Sequence, residues 1–189
     1  ISFTNSYFFN KNRKKKLYSS APYDGQIFEK LLRKYYISFD TVLIRNIHLQ
    51  KLKSKFDQRL NIVHDLDLLI RLSMSTKFRY LNKCLSWWRI HENSFSKNKI
   101  STINSEKILF FNKLKKLLKK SKNKKKYLNL FRENILQSQI EEYLINKNIK
   151  KFFKVIFFNK KINLKKFIFL FLILIPGGNV IYKHFKKSW

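Results

Sequence analysis

Asn61-Ile62-Val63-His64-Asp65-Leu66-Asp67-Leu68-Leu69-Ile70-Arg71-Leu72 is the stretch on which the fold reading turns. Leu66, Leu69, Ile70 and Ser73 fall on one face at helical spacing, which predicts an amphipathic helix over about 64–75. Its first turn carries Asp65 and Asp67, where the positive end of the helix dipole favours a carboxylate. Asp67 stands four residues before Arg71, so an i,i+4 ion pair accounts for it structurally. Asp65 has no such partner at helical spacing. It is therefore either a plain helix-terminal carboxylate or a working one.

Outward from this helix, the first hundred residues alternate β and α patterns. Ser2–Phe9 alternates enough to be a strand, and the Lys/Asn run at 10–16 reads as an exposed turn. Tyr23-Asp24-Gly25 punctuates before Ile27, Leu31 and Leu32, a helical spacing that runs through Lys34. Thr41-Val42-Leu43-Ile44 reads as a short buried strand, and Ile47–Leu52 as a brief helix. Phe78–Leu81 and Leu85–Ile90 read as two further strands, with Cys84 between them as a small buried hydrophobe. Trp87 and Trp88 point to opposite faces, so one is expected in the core and the other at a cleft. The alternation predicts an α/β layer and not a helical bundle.

Composition narrows the chemistry. The 189 residues hold 42 Lys and Arg against 11 Asp and Glu, a net charge of +31. Such a charge attracts polyanions: nucleic acid, anionic lipid or a diphosphate. Drift in an A/T-rich genome, which enriches Lys, Asn, Ile and Phe, is a competing cause. One cysteine excludes an intrachain disulfide and a cysteine-based zinc site. Three glycines, Gly25, Gly177 and Gly178, make neither a P-loop nor a G-x-G-x-x-G cradle. The chain opens at Ile1 without a secretory signal, which reads as the start of an excised piece in a cytosolic protein.

The character changes near residue 105. Ile108, Phe111, Leu114, Leu117 and Leu118 form a helical stripe backed by lysines. Residues 113–126 hold nine lysines and no acid, which reads as a solvated hinge. Residues 128–146 and 148–158 suggest a helical hairpin. The apolar run 167–175 would span roughly 14 Å as a helix, against about 30 Å of bilayer hydrocarbon, so it cannot cross unaided. It either lies in the membrane interface, within a segment 165–189 rich in lysine and ending in Trp189, or is buried in a core of its own.

Taken in order, Ser2–Phe9, Thr41–Arg45, Phe56-Asp57, His64-Asp65-Leu66-Asp67, Arg71-Leu72 and Trp88-Arg89-Ile90-His91 with Ser94 and Ser96 resemble the second half of a family 2 glycosyltransferase. The resemblance covers roughly residues 1–100. It implies an α/β fold: the C-terminal part of a GT-A nucleotide-sugar transferase domain over 1–105, followed by an α-helical extension over 106–189. It also implies an inverting transfer of a sugar from a nucleotide-sugar donor to a cell-surface glycan or lipid-linked acceptor. Asp65 is then the base that takes the acceptor proton. Trp88 and Arg89 bind substrate, and His91 touches a divalent metal (Mg or Mn) or the diphosphate. His64 stands where the family usually has glutamate. The metal-binding D-x-D of the family would belong before Ile1, and Asp65-Leu66-Asp67 matches the acceptor-side acidic pair instead. The isolated chain is expected not to turn over.

The resemblance places the protein in the cytoplasm, peripheral at the inner face of the cell membrane, with the basic tail on anionic lipid. Two other classes compete. One is a basic module binding nucleic acid or an anionic membrane, although the excess of lysine over arginine argues against specific base reading. The other is an inactive, truncated transferase.

Overall fold

The computed structural model describes residues 1–11, 13–91, 99–146 and 148–157. They form a mixed α/β structure with a three-stranded sheet and six α-helices. The chain divides into two compact units, Ile1–Asn134 and Ile135–Trp189, a boundary well beyond the change of composition at 105.

In the first unit the central strand is β1, Ser2–Phe9. Phe3 to Ser6 are buried in succession, as a strand covered on both faces requires. Lys14–Lys16, expected as part of an exposed turn, forms β2 antiparallel to β1, with Tyr7 opposite Lys16 and Phe9 opposite Lys14. On the other side β3, Arg79–Arg89, runs parallel to β1. The sheet order is β2-β1-β3. The two strands expected over 78–90 are thus one. The register jumps from Thr4↔Leu81 to Asn5↔Cys84 and then to Ser6↔Ser86, so β3 carries extra residues at its middle. Those bulged residues broke the alternation in the sequence. Asn5 fills the irregularity: its Oδ1 accepts the N–H of Ser6 and of Tyr18, each at 3.0 Å, and its Nδ2 donates to Tyr18 O at 2.9 Å. Cys84 is half-buried there, not a core residue.

The helices are α1 (Phe28–Arg33), α2 (Asn46–Gln50), α3 (His64–Ser73) and α4 (Ile100–Leu117). Phe39–Thr41 is one turn of 3₁₀ helix, and Leu43 makes only an isolated antiparallel bridge to Ser2. The buried strand expected at Thr41–Ile44 is therefore absent, and Leu43 is 73% exposed. Gly25 pairs with Phe78 through both backbone bonds, at 2.6 and 2.9 Å. It does so at φ +79°, a left-handed conformation that side-chain-bearing residues adopt at a cost, although a Cβ there would meet open space. The core gathers Phe3, Ile27, Leu31, Leu69, Ile70 and Phe110, all fully buried.

Helix α3 is more enclosed than its sequence pattern implies: Leu66 through Ile70, Leu72 and Ser73 are all buried. The cover on its polar side is α4, which the composition change had assigned to the tail. Glu106 of α4 accepts the backbone N–H groups of Asn61, Ile62 and Val63 at 3.0, 2.8 and 3.0 Å. A buried carboxylate on three donors ties the entry of α3 to α4, and each donor would otherwise be costly to leave unpaired. Lys113 of α4 reaches Asp67 at 2.9 Å and Asp57 at 3.0 Å. Arg59 also pairs with Asp57, at 2.8 Å.

The hydrogen bonds from Arg59, and then those from Lys113, hold the Asp57 carboxyl well below the usual carboxylate range against the opposing effect of desolvation. A carboxyl depressed in the folded state stabilises fully above its unfolded pKa of about 4, and that contribution fades as pH falls toward the lower folded value. Acid titration followed by circular dichroism is therefore expected to show stability declining below about pH 4, and Asp57→Asn to flatten that limb. An unchanged acid limb in the variant would show that Asp57 is not held by this pair.

The helix α5, Lys124–Ile145, begins within the supposed lysine hinge, so that stretch is the end of α4, a turn and the start of α5. In the first unit, Phe131 packs edge-on against Phe110 at 5.2 Å, and Asn134 Nδ2 donates to Leu32 O at 3.2 Å. In the second unit, α5 continues to Ile145, and α6 covers Ile149–Phe157. The side chain of Asn148 accepts the N–H of Lys151 at 3.2 Å, an N-cap in the expected place. Among the described residues of this unit, Ile135, Ile140 and Phe152 are buried. The proposed membrane-interface segment 165–189 lies outside the described residues. Among those described, no helix is long and apolar enough to cross a membrane.

Candidate functional site

Asp65 is the second residue of α3, half-buried at the rim of a cleft of about 510 Å³. Its Oδ1 accepts the backbone N–H of Leu66 at 2.7 Å, and its Oδ2 accepts the phenolic O–H of Tyr35 at 2.8 Å. Both oxygens are thus oriented, yet a carboxylate has about four lone-pair positions and retains room for a further donor. Tyr35 is kept protonated. Burial raises its pKa most, and the charge and hydrogen bond of Asp65 add to the rise. It therefore acts only as a donor to Asp65 at any physiological pH.

The other walls come from two directions. Tyr35, Ser38 and Asp40 line the cleft from the connection after α1, and Phe8, Trp87 and Trp88 from the ends of β1 and β3. The hydroxyl of Ser38 donates to Asp40. Trp88 meets Phe8 edge-to-face at 5.0 Å, while Trp87 lies against Tyr7 at 4.8 Å and Phe9 at 5.7 Å. Neither tryptophan is in the core: Trp87 is 56% and Trp88 46% exposed. The expectation that one of them would be buried fails, because β3 lies at the edge of the described sheet and only partly under cover.

The structure thus brings Asp65 and Trp88 into one cleft. Arg89 is exposed on β3 opposite Phe9 and does not line it. His91 follows β3, exposed, and is likewise not a lining residue. Ser94 and Ser96 lie outside the described residues. His64 turns away, its ring 5.7 Å from Phe56 and its Nδ1 3.1 Å from Asn61 O. Asp67 is fully buried and paired with Arg71 at 2.8 Å, the structural role its spacing indicates.

Among the described residues no group of three His, Cys, Asp or Glu side chains could hold a metal ion. His91 belongs to no such group among the described residues. Tyr35 and Asp40 were not foreseen, since nothing in their local pattern separates a cleft tyrosine or aspartate from a loop one. Compared with known families, curated proteins and solved structures, the chain matches none.

Proposed function

We propose that the cleft is the acceptor side of an inverting, family 2-like glycosyltransferase with a GT-A fold, and that Asp65 is its general base. The observation that supports this is a single one: a carboxylate fixed at a helix start opens into a cleft walled by exposed tryptophan. Tryptophan offers a flat apolar face to a sugar ring and keeps an N–H for its hydroxyls. In the reaction, the acceptor oxygen bonds to the anomeric carbon as the bond to the nucleotide diphosphate breaks, and the acceptor proton passes to Asp65. Tyr35 holds the receiving carboxylate in place throughout. Trp88 binds the acceptor ring. Arg89, outside the cleft, is assigned to the developing negative charge on the leaving group. A divalent cation (Mg or Mn), with His91 as one of its ligands, would add to that stabilisation when bound.

The acceptor is a cell-surface glycan or lipid-linked sugar, and the protein works at the anionic inner face of the membrane. The test incubates the full-length protein with a panel of labelled nucleotide sugars and glycan acceptors, and reads the product anomer. A product of inverted configuration is expected. Retention of configuration, or transfer to no member of the panel, would overturn the reading.

A further inference from the structure

The face of the sheet that carries Trp87 shows a pattern the proposed chemistry does not use. Residues directly opposite one another on paired strands share a face, and residues two apart along a strand do so as well. The register therefore sets out two rows: Lys16, Tyr7 and Trp87, then Lys14, Phe9 and Arg89. Each row has aromatic rings at its centre or end and cations beside them. The rows are about 7 Å apart along the strands. Lys14 Nζ sits 3.9 Å from the ring centre of Tyr7 and 3.8 Å from that of Trp87, which confirms the shared face. Held over two rings, this ammonium is ordered before any ligand arrives, which lowers the cost of binding one. All three cations are exposed. Trp87 also lines the cleft of Asp65, so patch and cleft adjoin.

We infer that this face binds the acceptor chain beyond the reacting sugar, and that the acceptor is an anionic glycan bearing phosphate or carboxylate groups. The inference rests on the reading of the cleft as an acceptor site. Trp87 stacks on a sugar ring where the chain leaves the cleft, and Lys14 and Lys16 meet its charges. A neutral glycan would gain the stacking alone. Single-stranded nucleic acid would also satisfy cations beside rings. Continuity with a carboxylate-bearing cleft favours sugar: a glycan can place a neutral ring with its hydroxyl groups beside Asp65 and Asp40 and keep its charges out on the patch, whereas a nucleic-acid backbone carries a phosphate at every residue.

The experiment measures calorimetric binding of the full chain to tetragalacturonate, to neutral galactotetraose and to a short oligo-dT, at low and high salt. The anionic sugar is expected to bind at least tenfold tighter than the neutral one, with affinity falling as salt rises. Trp87→Ala should weaken it roughly tenfold or more, the size of losing one stacking ring, while Trp87→Phe retains most of it. Lys14→Gln with Lys16→Gln should abolish the preference for the charged sugar. Circular dichroism should show all variants folded, since these side chains are exposed. Equal binding of the neutral sugar would overturn the inference and leave the acceptor reading standing. Tighter binding of oligo-dT, in competition with the sugar, would overturn it in favour of a nucleic-acid surface. Failure of both sugars to bind would overturn it as well, while the anomer of the transfer product judges the reading of Asp65 separately.

Discussion

In the full-length protein, Asp65→Asn lowers sugar transfer by roughly 10²–10⁴-fold, the range a positioned general base contributes, while the fold stays intact. The argument for an intact fold is local. Asparagine keeps a side-chain oxygen to accept either the Leu66 N–H or the Tyr35 O–H, which Asp65 now takes at 2.7 and 2.8 Å. What it loses is the negative charge at the start of α3, worth about 0.3–1 kcal/mol. Stability should accordingly fall by less than about 1 kcal/mol, and acceptor binding should be nearly unchanged, because the tryptophan walls remain. The decisive comparison sets kcat beside the thermal midpoint of the same preparation. A variant with normal turnover would make Asp65 a helix-terminal carboxylate and nothing more. Equal loss of turnover and of stability would point to the same conclusion by a different route.

The residues that made this legible carry their own periodicity. The core stripe of α3, the first strand and the i,i+4 pair of Asp67 with Arg71 could be read because each depends on neighbours within one element. The site was legible in part: Asp65 and Trp88 do share a cleft. Tyr35 was not, because its bond to Asp65 joins residues thirty apart in sequence with no pattern linking them. The single strand β3 was misread as two for a physical reason, since a bulge destroys the period of two on which strand reading relies. The strand expected at Thr41–Ile44 failed differently. Its β-branched residues have the right propensity, but Leu43 finds only one bridge and little cover, and propensity is overridden where packing is absent. The helical stripe of α4 was legible, but its packing against α3 was not. Its lysines look like a solvated face, and only the fold shows that Lys113 and Glu106 turn inward to charges and donors contributed from more than forty residues away.

Those inward charges make Asp67, two residues from the proposed base, the position where substitution should do the opposite of Asp65→Asn. The Asp67 carboxylate is fully buried and takes Arg71 through two bonds, at 3.1 and 2.8 Å, and Lys113 at 2.9 Å. Arg71 in turn donates to the carbonyls of Ser54 and Lys55 at 2.7 and 2.6 Å, so the network pins the loop before α3 as well as α4. Asp67→Ala removes the only fully buried anion of the cluster and leaves a guanidinium with 8% of its side chain exposed facing a gap. Removing one partner of a buried pair costs about 3–5 kcal/mol. The surviving carbonyl bonds of Arg71 and the Asp57 partner of Lys113 hold the expected loss toward the lower end. Against a total stability of about 5–15 kcal/mol that is a large share, and the thermal midpoint should drop by roughly 10 °C. Asp67→Asn should fall between wild type and alanine, since its amide keeps a hydrogen bond to Arg71 but not the charge. A midpoint unmoved by Asp67→Ala would mean that α4 does not dock on α3 through this carboxylate. If transfer activity per folded molecule survives in Asp67→Asn and disappears in Asp65→Asn, the two aspartates of one helical turn have separate tasks: one holds the helix in the fold, and the other works from its end.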